Sequence, residues 1–149
     1  MPQDRRAARV LLVDGRRRVL LLQGSDPTTP ERGSWWITPG GGLEAGELPA
    51  SAAARELVEE TGLRVDAGAL GEPVHARVTE FHFLGQHVLQ SEDYFLLRVD
   101  AHEVDTTAPD AVADPGITGH RWWPLPELRA TRETVFPAEL PDLLEGLLA

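Results

Sequence analysis

Cysteine is absent from the chain, which excludes disulfide cross-links, thiol catalysis and any cysteine-ligated zinc or iron–sulfur site. A reducing cytoplasm suits that composition and is the expected location. Lysine and asparagine are missing as well. All 14 basic residues are arginine, a bias that points to a GC-rich genome and not to a function. With no lysine there is no P-loop, so a kinase-like phosphate cradle is excluded. Positive charge is scarce overall. The net charge of -10 opposes nonspecific attraction to nucleic acid, and no polymer of phosphates is expected as a partner. A small phosphorylated ligand stays compatible, because a bound cation inverts the local sign of an acidic cleft. Long apolar runs are lacking too. Val10 to Val13 before Asp14 is too short for a signal-peptide core or a membrane span, and no membrane association is expected. The length suits one domain over residues 1–149, able to bury a core without staples.

What the chain does contain is patterned for a layered sheet. Ala8 to Val13 reads as a strand, Asp14-Gly15-Arg16 as a tight turn and Val19 to Gln23 as the returning strand, since Asp-Gly between apolar runs signals a hairpin. Both runs are nearly all apolar, which suits strands covered on both faces by helices. Trp35 to Thr38 is a short strand, with Trp36 expected in the core and Trp35 divided between core and ligand stacking. Val74 to Leu84 and His87 to Val99 form a hairpin turning near Gly85. Gly119 to Trp123 is a further strand that buries one of its two tryptophans, and Pro124 to Ala130 is a short helical turn. Pro137 to Leu148 is an amphipathic helix with Leu140, Leu143, Leu144 and Leu147 in register. Asp105 to Gly119 is acidic and carries Pro and Gly, and reads as a mobile surface loop of the kind that closes over substrates. His82 and His87 would face each other across the hairpin. No third ligand stands at a diagnostic spacing, so none of the histidines is taken as a metal site.

The chain is organised around Gly41 to Leu63, GGLEAGELPASAAARELVEETGL. Pro39-Gly40-Gly41-Gly42 is read as a backbone turn in which glycine lets a ligand approach the main chain. Pro49 suits a first helical turn, Ala50 to Val58 continue the helix, and Gly62 is placed for a left-handed C-cap. Helical spacing sets Glu56, Glu59 and Glu60 on one face, with Ala54, Leu57, Val58 and Thr61 largely on the other. Such a cluster is ordinarily a solvated face, and each like-charge pair costs roughly 0.2–0.5 kcal/mol in an isolated helix. A hard divalent cation offsets the repulsion, since Mg²⁺ takes oxygen ligands and binds through carboxylates together with phosphates and water. Arg55 reaches Glu59 one turn on, and from its side of the helix it also reaches Glu47.

The pattern Gly41, Glu47, Arg55-Glu56-Leu57, Glu59-Glu60, Gly62-Leu63 resembles the signature of the Nudix hydrolases, the MutT-like family, with every defining position filled. Trp36 to Gly41 resembles that family's entry to the signature, and Arg121-Trp122-Trp123 with Glu127-Leu128 its last strand and helix. Thr38 departs mildly, standing where an aliphatic residue is expected. The resemblance implies an α/β fold, an α/β/α sandwich around a mixed β-sheet. It implies hydrolysis of the pyrophosphate bond of a nucleoside diphosphate linked to another group, with Mg²⁺ as cofactor and Mn²⁺ as substitute. Glu56, Glu59 and Glu60 would hold the metal, with Glu59 either a third ligand or the general base. Arg55 and Glu47 would complete the catalytic group, and Gly40, Gly41 and Gly42 would shape the pyrophosphate site. Relatives place the base differently, which keeps Glu92, Asp93, Asp110 and Asp114 as further candidates. The implied partner is a small nucleoside-diphosphate molecule, and the oligomeric state, a homodimer included, is left open. Residues that would mark ADP-ribose, dinucleoside polyphosphate, coenzyme A or NADH cleavage are absent: no proline stands near Thr79, Pro73 is too early, and Phe81 stands nearest the place of the expected tyrosine. A nucleotide sugar or a (d)NTP, oxidised forms included, remains. The alternative is a catalytically silent nucleotide-binding or sensor module of the same fold. Such modules typically lose signature glutamates, and here all are present.

Overall fold

The N-terminal apolar run forms a longer strand than its hydrophobic part alone predicts. In the computed structural model, which describes residues 1–107, 111–112, 114 and 116–149, β1 spans Gln3–Val13, exposed over its arginine-bearing start and mostly buried from Ala7 onward. The turn after it is wider than the Asp-Gly signal suggests. Asp14 Oδ1 accepts the backbone N–H groups of both Arg16 and Arg18 at 2.9 Å, and Arg17 takes a left-handed φ of 56° before β2, Arg18–Ser25, begins.

The two strands pair only at Val13 and Val19 and then part. Residues 34–42 fill the fork. Their first half, β3 (Ser34–Ile37), pairs with β2, and their second half, β4 (Gly40–Gly42), pairs with β1 through Ala7–Gly42, Ala8–Gly41 and Arg9–Gly40. The expected glycine turn is therefore a short strand. Gly40 has a φ of 144°, and a Cβ there would lie 2.2 Å from the Ala8 carbonyl oxygen, so only glycine lets the chain lie this close to β1.

Helix α1, Pro49–Thr61, follows with proline in its first turn and Gly62 as a left-handed cap at φ 78°, as read from the sequence. Next come β5 (His75–Phe83), β6 (Gln86–Arg98), β7 (Ile117–Pro124), α2 (Leu125–Ala130), β8 (Val135–Phe136) and α3 (Leu140–Leu148). The eight strands of the described residues form one mixed sheet in the order β5-β6-β1-β2-β3-β8, with β4 on β1 and β7 on β2. The β1–β6 and β3–β8 pairs are parallel and the others antiparallel. One apolar cluster joins Val10, Leu12, Leu20 and Phe95 to Ala52, Ala53 and Leu57 of α1. The other joins Leu11, Leu21, Trp36, Tyr94 and Trp123 to Leu128 of α2 and Leu140, Leu144 and Leu148 of α3. Alternate side chains of the central strands thus feed opposite layers, and an α/β/α sandwich results.

Three expectations shift. The last helix starts at Leu140 and not at Pro137, because Phe136 is drawn into β8. The strand expected from Gly119 begins at Ile117. The loop expected before it, Asp105 to Gly119, includes Ala108, Pro109, the candidate Asp110, Ala113 and Pro115, which lie outside the described residues, so its expected role of closing over substrate stays an expectation. Among the described residues no helix is long and apolar enough to cross a membrane.

Candidate active site

A cleft of about 330 Å³ runs along the sheet face of β1, β5 and β6, from the α1 glutamates to an aromatic recess. At one end stand Glu56 and Glu60, beside Gly40 and Gly41. The glycines make that approach possible: a Cβ on Gly41 would lie 2.5 Å from Glu56 Oε1, and the Gly40 N–H donates to Glu60 Oε1 at 2.8 Å. Burial, reinforced by the charge of Glu56, pushes Glu60 up to about 8 against the pull of that hydrogen bond. Glu56 is also raised, by burial first and then by Glu59, with Arg55 opposing. Two neighbouring carboxylates that resist ionisation because of burial and the charge of nearby glutamates are a donor set that suits a hard divalent cation.

The three expected ligands do not converge as placed. Among the described residues no three acidic or histidine side chains are gathered as one metal set, and Glu59 is absent from the cleft wall. Arg55 is the reason. Its Nη1 bridges Glu56 Oε1 at 3.1 Å and Glu59 Oε2 at 3.3 Å, while Nε and Nη2 each reach Glu47 at 2.9 Å and Nη2 also reaches the Gly42 carbonyl at 3.1 Å. This guanidinium ties α1 to β4 and to the intervening loop. The contacts raise its own pKa and, through the Arg55 hydrogen bond, lower that of Glu47. Glu47 and Arg55 are thus placed to hold the glutamates, and neither lines the cleft.

Apart from Glu92, the floor of the cleft was not legible in the sequence. Arg5, Arg9, Arg77, Gln90 and Glu92 line it, brought together by the parallel β1–β6 and antiparallel β5–β6 registers. Glu92 is 3 % exposed. It accepts from Arg9 Nε at 3.3 Å, Arg77 Nε at 2.5 Å, Gln90 Nε2 at 2.8 Å and Tyr94 Oη at 2.9 Å. Burial alone would raise Glu92, but the charges of Arg9 and Arg77 and their hydrogen bonds outweigh it and hold the carboxyl below its ordinary range. So saturated, Glu92 is an anion that anchors the arginines of the cleft floor. Asp93 faces away, 3.9 Å from Arg6 and outside the cleft wall. Asp114 does line the cleft. Arg5 is exposed and makes no hydrogen bond or ion pair among the described residues, whereas Arg9 is fixed by Glu92 and by the carbonyls of Thr38 and Gly40.

At the far end Trp35 meets Phe83 and Phe136 edge to face, each at a ring separation of 6.4 Å, with the Arg32 guanidinium 5.2 Å from the indole. Trp35 therefore lines the cleft, and Trp36 and Trp123 pack together in the core at 5.3 Å. Asp26 secures this end: its carboxylate accepts the Leu84 N–H at 3.0 Å and faces Arg32 at 3.4 Å, and Arg32 in turn donates to the His82 carbonyl at 2.6 Å. His82 and His87 stack across the hairpin at 4.3 Å, as their positions suggested.

Comparison with known proteins agrees with this architecture. A NUDIX domain is matched over residues 3–144. The chain is 43 % identical over 103 residues to an octanoyltransferase of Myxococcus xanthus, a match that covers 62 % of this chain and only 28 % of that protein. It is 31 % identical over 128 residues to an RNA pyrophosphohydrolase of Rhodospirillum rubrum, covering 79 % of this chain and 71 % of the relative. The crystal structure of a MutT protein from Methanosarcina mazei Go1 superposes with a TM-score of 0.67 at 19 % identity, covering 97 % and 93 % of the two chains, and shows the shared fold. With the signature complete, its helix capped as read and its glutamates gathered at the glycine strand, the chain belongs to the Nudix family of pyrophosphohydrolases, which act on phosphoanhydrides.

Proposed function

We propose that the chain is a divalent-cation-dependent hydrolase that cleaves the phosphoanhydride of a nucleoside diphosphate carrying a further group, a nucleoside triphosphate or a nucleotide sugar. One observation carries the reading: a single cleft joins a close carboxylate pair, Glu56 and Glu60, to a three-ring aromatic recess of Trp35, Phe83 and Phe136. The first end suits a cation and phosphates, and the second a planar base. Glu56, Glu60 and, once released from Arg55, Glu59 would hold Mg²⁺ or Mn²⁺. Bound there, a divalent ion supplies Lewis acidity at the phosphate oxygens and a water of lowered pKa. Glu59 or Asp114 takes the proton of the attacking water, the Gly40–Gly42 backbone shapes the pyrophosphate site, and the Arg55–Glu47 pair keeps the glutamates in place. Phosphate and pyrophosphate release from a panel of nucleotides and nucleotide sugars with Mg²⁺ tests this. Turnover of at least one of them, abolished by Glu56→Gln, is expected, whereas tight binding without release identifies the silent module.

The relative from Rhodospirillum rubrum favours a second reading, the 5′ end of RNA. An RNA bearing a 5′ triphosphate belongs in the same panel. Only its terminal phosphates and first nucleoside need enter the cleft, so this substrate does not require a basic track.

A further inference from the structure

Gln90 carries a polar atom that nothing described in the protein satisfies. The side chain is 1 % exposed and lines the cleft at the middle of β6, flanked in register by Arg5 of β1 and Thr79 of β5. Its Nε2 donates to Glu92 Oε2 at 2.8 Å, whereas its Oε1 is buried without a hydrogen-bond partner. The amide cannot be reversed, because Glu92 lies between two guanidinium groups as an acceptor and would then face a carbonyl oxygen. Buried acceptors of this kind are costly to leave unpaired and are rare in folded proteins.

We propose that Gln90 is a specificity-determining residue whose Oε1 accepts a hydrogen bond from an O–H or N–H donor on the nucleoside portion of the substrate. The inference rests on the reading that the substrate is a nucleotide. Its polarity is fixed from behind by Glu92, so Gln90 reads donors and rejects acceptors. Arg5, the register neighbour of Gln90 on β1, lines the same cleft without a hydrogen bond or ion pair among the described residues and is available to a phosphate of the same ligand. A site built to accept such a bond discriminates strongly against a ligand that lacks the donor, since the acceptor is then left unpaired.

The test is calorimetric binding, without added metal, of whichever of ATP, GTP and CTP binds best, alongside its 2′-deoxy form, its 3′-deoxy form and the analogue lacking the exocyclic amine. Hydrolysis with Mg²⁺ is measured on the same set. The unaltered protein should lose affinity and kcat/KM by about tenfold or more for one analogue, and the identity of that analogue assigns the donor to sugar or base. Gln90→Met, which leaves Glu92 three of its four donors, should bind all four ligands alike. If the variant fails to fold, the analogue series on the unaltered protein still decides. Equal treatment of all four ligands by the unaltered protein, or equal discrimination by the variant, overturns the proposal and leaves Oε1 to a buried water. Hydrolysis without discrimination sinks this inference alone, whereas no binding and no hydrolysis of any nucleotide sinks the functional reading with it.

Discussion

Two glutamates of the cleft, the half-buried Glu60 and the buried Glu92, behave in opposite ways because their neighbours differ. Glu60, pushed up to about 8 by burial and by Glu56, keeps a proton in the folded protein over a range where the unfolded chain, with an ordinary value of 4.5, has released it. In metal-free buffer its contribution to stability is therefore complete below that ordinary value and is lost as the pH rises through the folded one. A divalent ion takes the place of the proton. Melting in chelator from about pH 5 to about pH 9 should show a falling Tm, Mg²⁺ should flatten the fall, and Glu60→Gln should be flat in both buffers. A slope that Mg²⁺ leaves untouched means that Glu60 meets no cation. Glu92 is the reverse case, an anion compensated by Arg9 and Arg77. Glu92→Gln strands two guanidinium groups and should cost about 3 kcal/mol in urea unfolding, the low end for breaking a buried pair because both arginines keep some exposure. The exposed Arg121–Glu127 pair, truncated in the same way, should cost less than about 1 kcal/mol.

Among the elements, the β5–β6 hairpin carries the aromatic end of the cleft on a strained turn. Phe83 pairs with Gln86, so Leu84 and Gly85 form a two-residue turn with φ of 49° and 76°. A left-handed leucine costs roughly 1–2 kcal/mol, and here the Leu84 N–H is held by the buried Asp26 carboxylate. Asparagine takes that backbone shape far more readily before glycine. Leu84→Asn should therefore raise the midpoint of thermal unfolding, by about 0.5–1 kcal/mol in stability, and a lower midpoint would show that the leucine side chain contributes packing. This hairpin was legible from Gly85 and the flanking strand formers, as were α1 with its proline start and glycine cap, the buried Trp36 and the signature glutamates. Local chemistry determines those features. The short strands β4 and β8 were not legible, since three glycines carry little strand propensity and a two-residue Val-Phe run is too short to signal a strand, and both pair only because the β1–β2 fork and the edge of β3 accept them. The same holds for the cleft floor. Arg5, Arg9, Arg77 and Glu92 lie far apart in the chain, and only the parallel register of β1 on β6 together with the antiparallel register of β5 on β6 makes them neighbours.

For the molecule as a whole, the arginines that line the cleft stand against a net charge of -10. This contrast sets how much of a substrate the protein can hold. An anionic polymer gains from each further phosphate only where a basic surface continues to meet it, and each such contact steepens the loss of affinity with salt, by about 0.7 in the log–log slope per phosphate for a single strand. Here four of the fourteen arginines, Arg5, Arg9, Arg32 and Arg77, line the cleft, and the rest of the chain is acidic on balance, so attraction should end with the first nucleotide. RNAs with a 5′ triphosphate, of about two and about ten nucleotides, should accordingly share one kcat/KM within roughly threefold and one salt slope, both close to those of the corresponding nucleoside triphosphate. Kinetics over a range of NaCl concentrations on the three substrates decide the matter. A slope that steepens with length would reveal a phosphate track outside the cleft and would favour the RNA end over the free nucleotide, whereas length-independent turnover places all recognition between the glutamates of α1 and the rings of Trp35, Phe83 and Phe136.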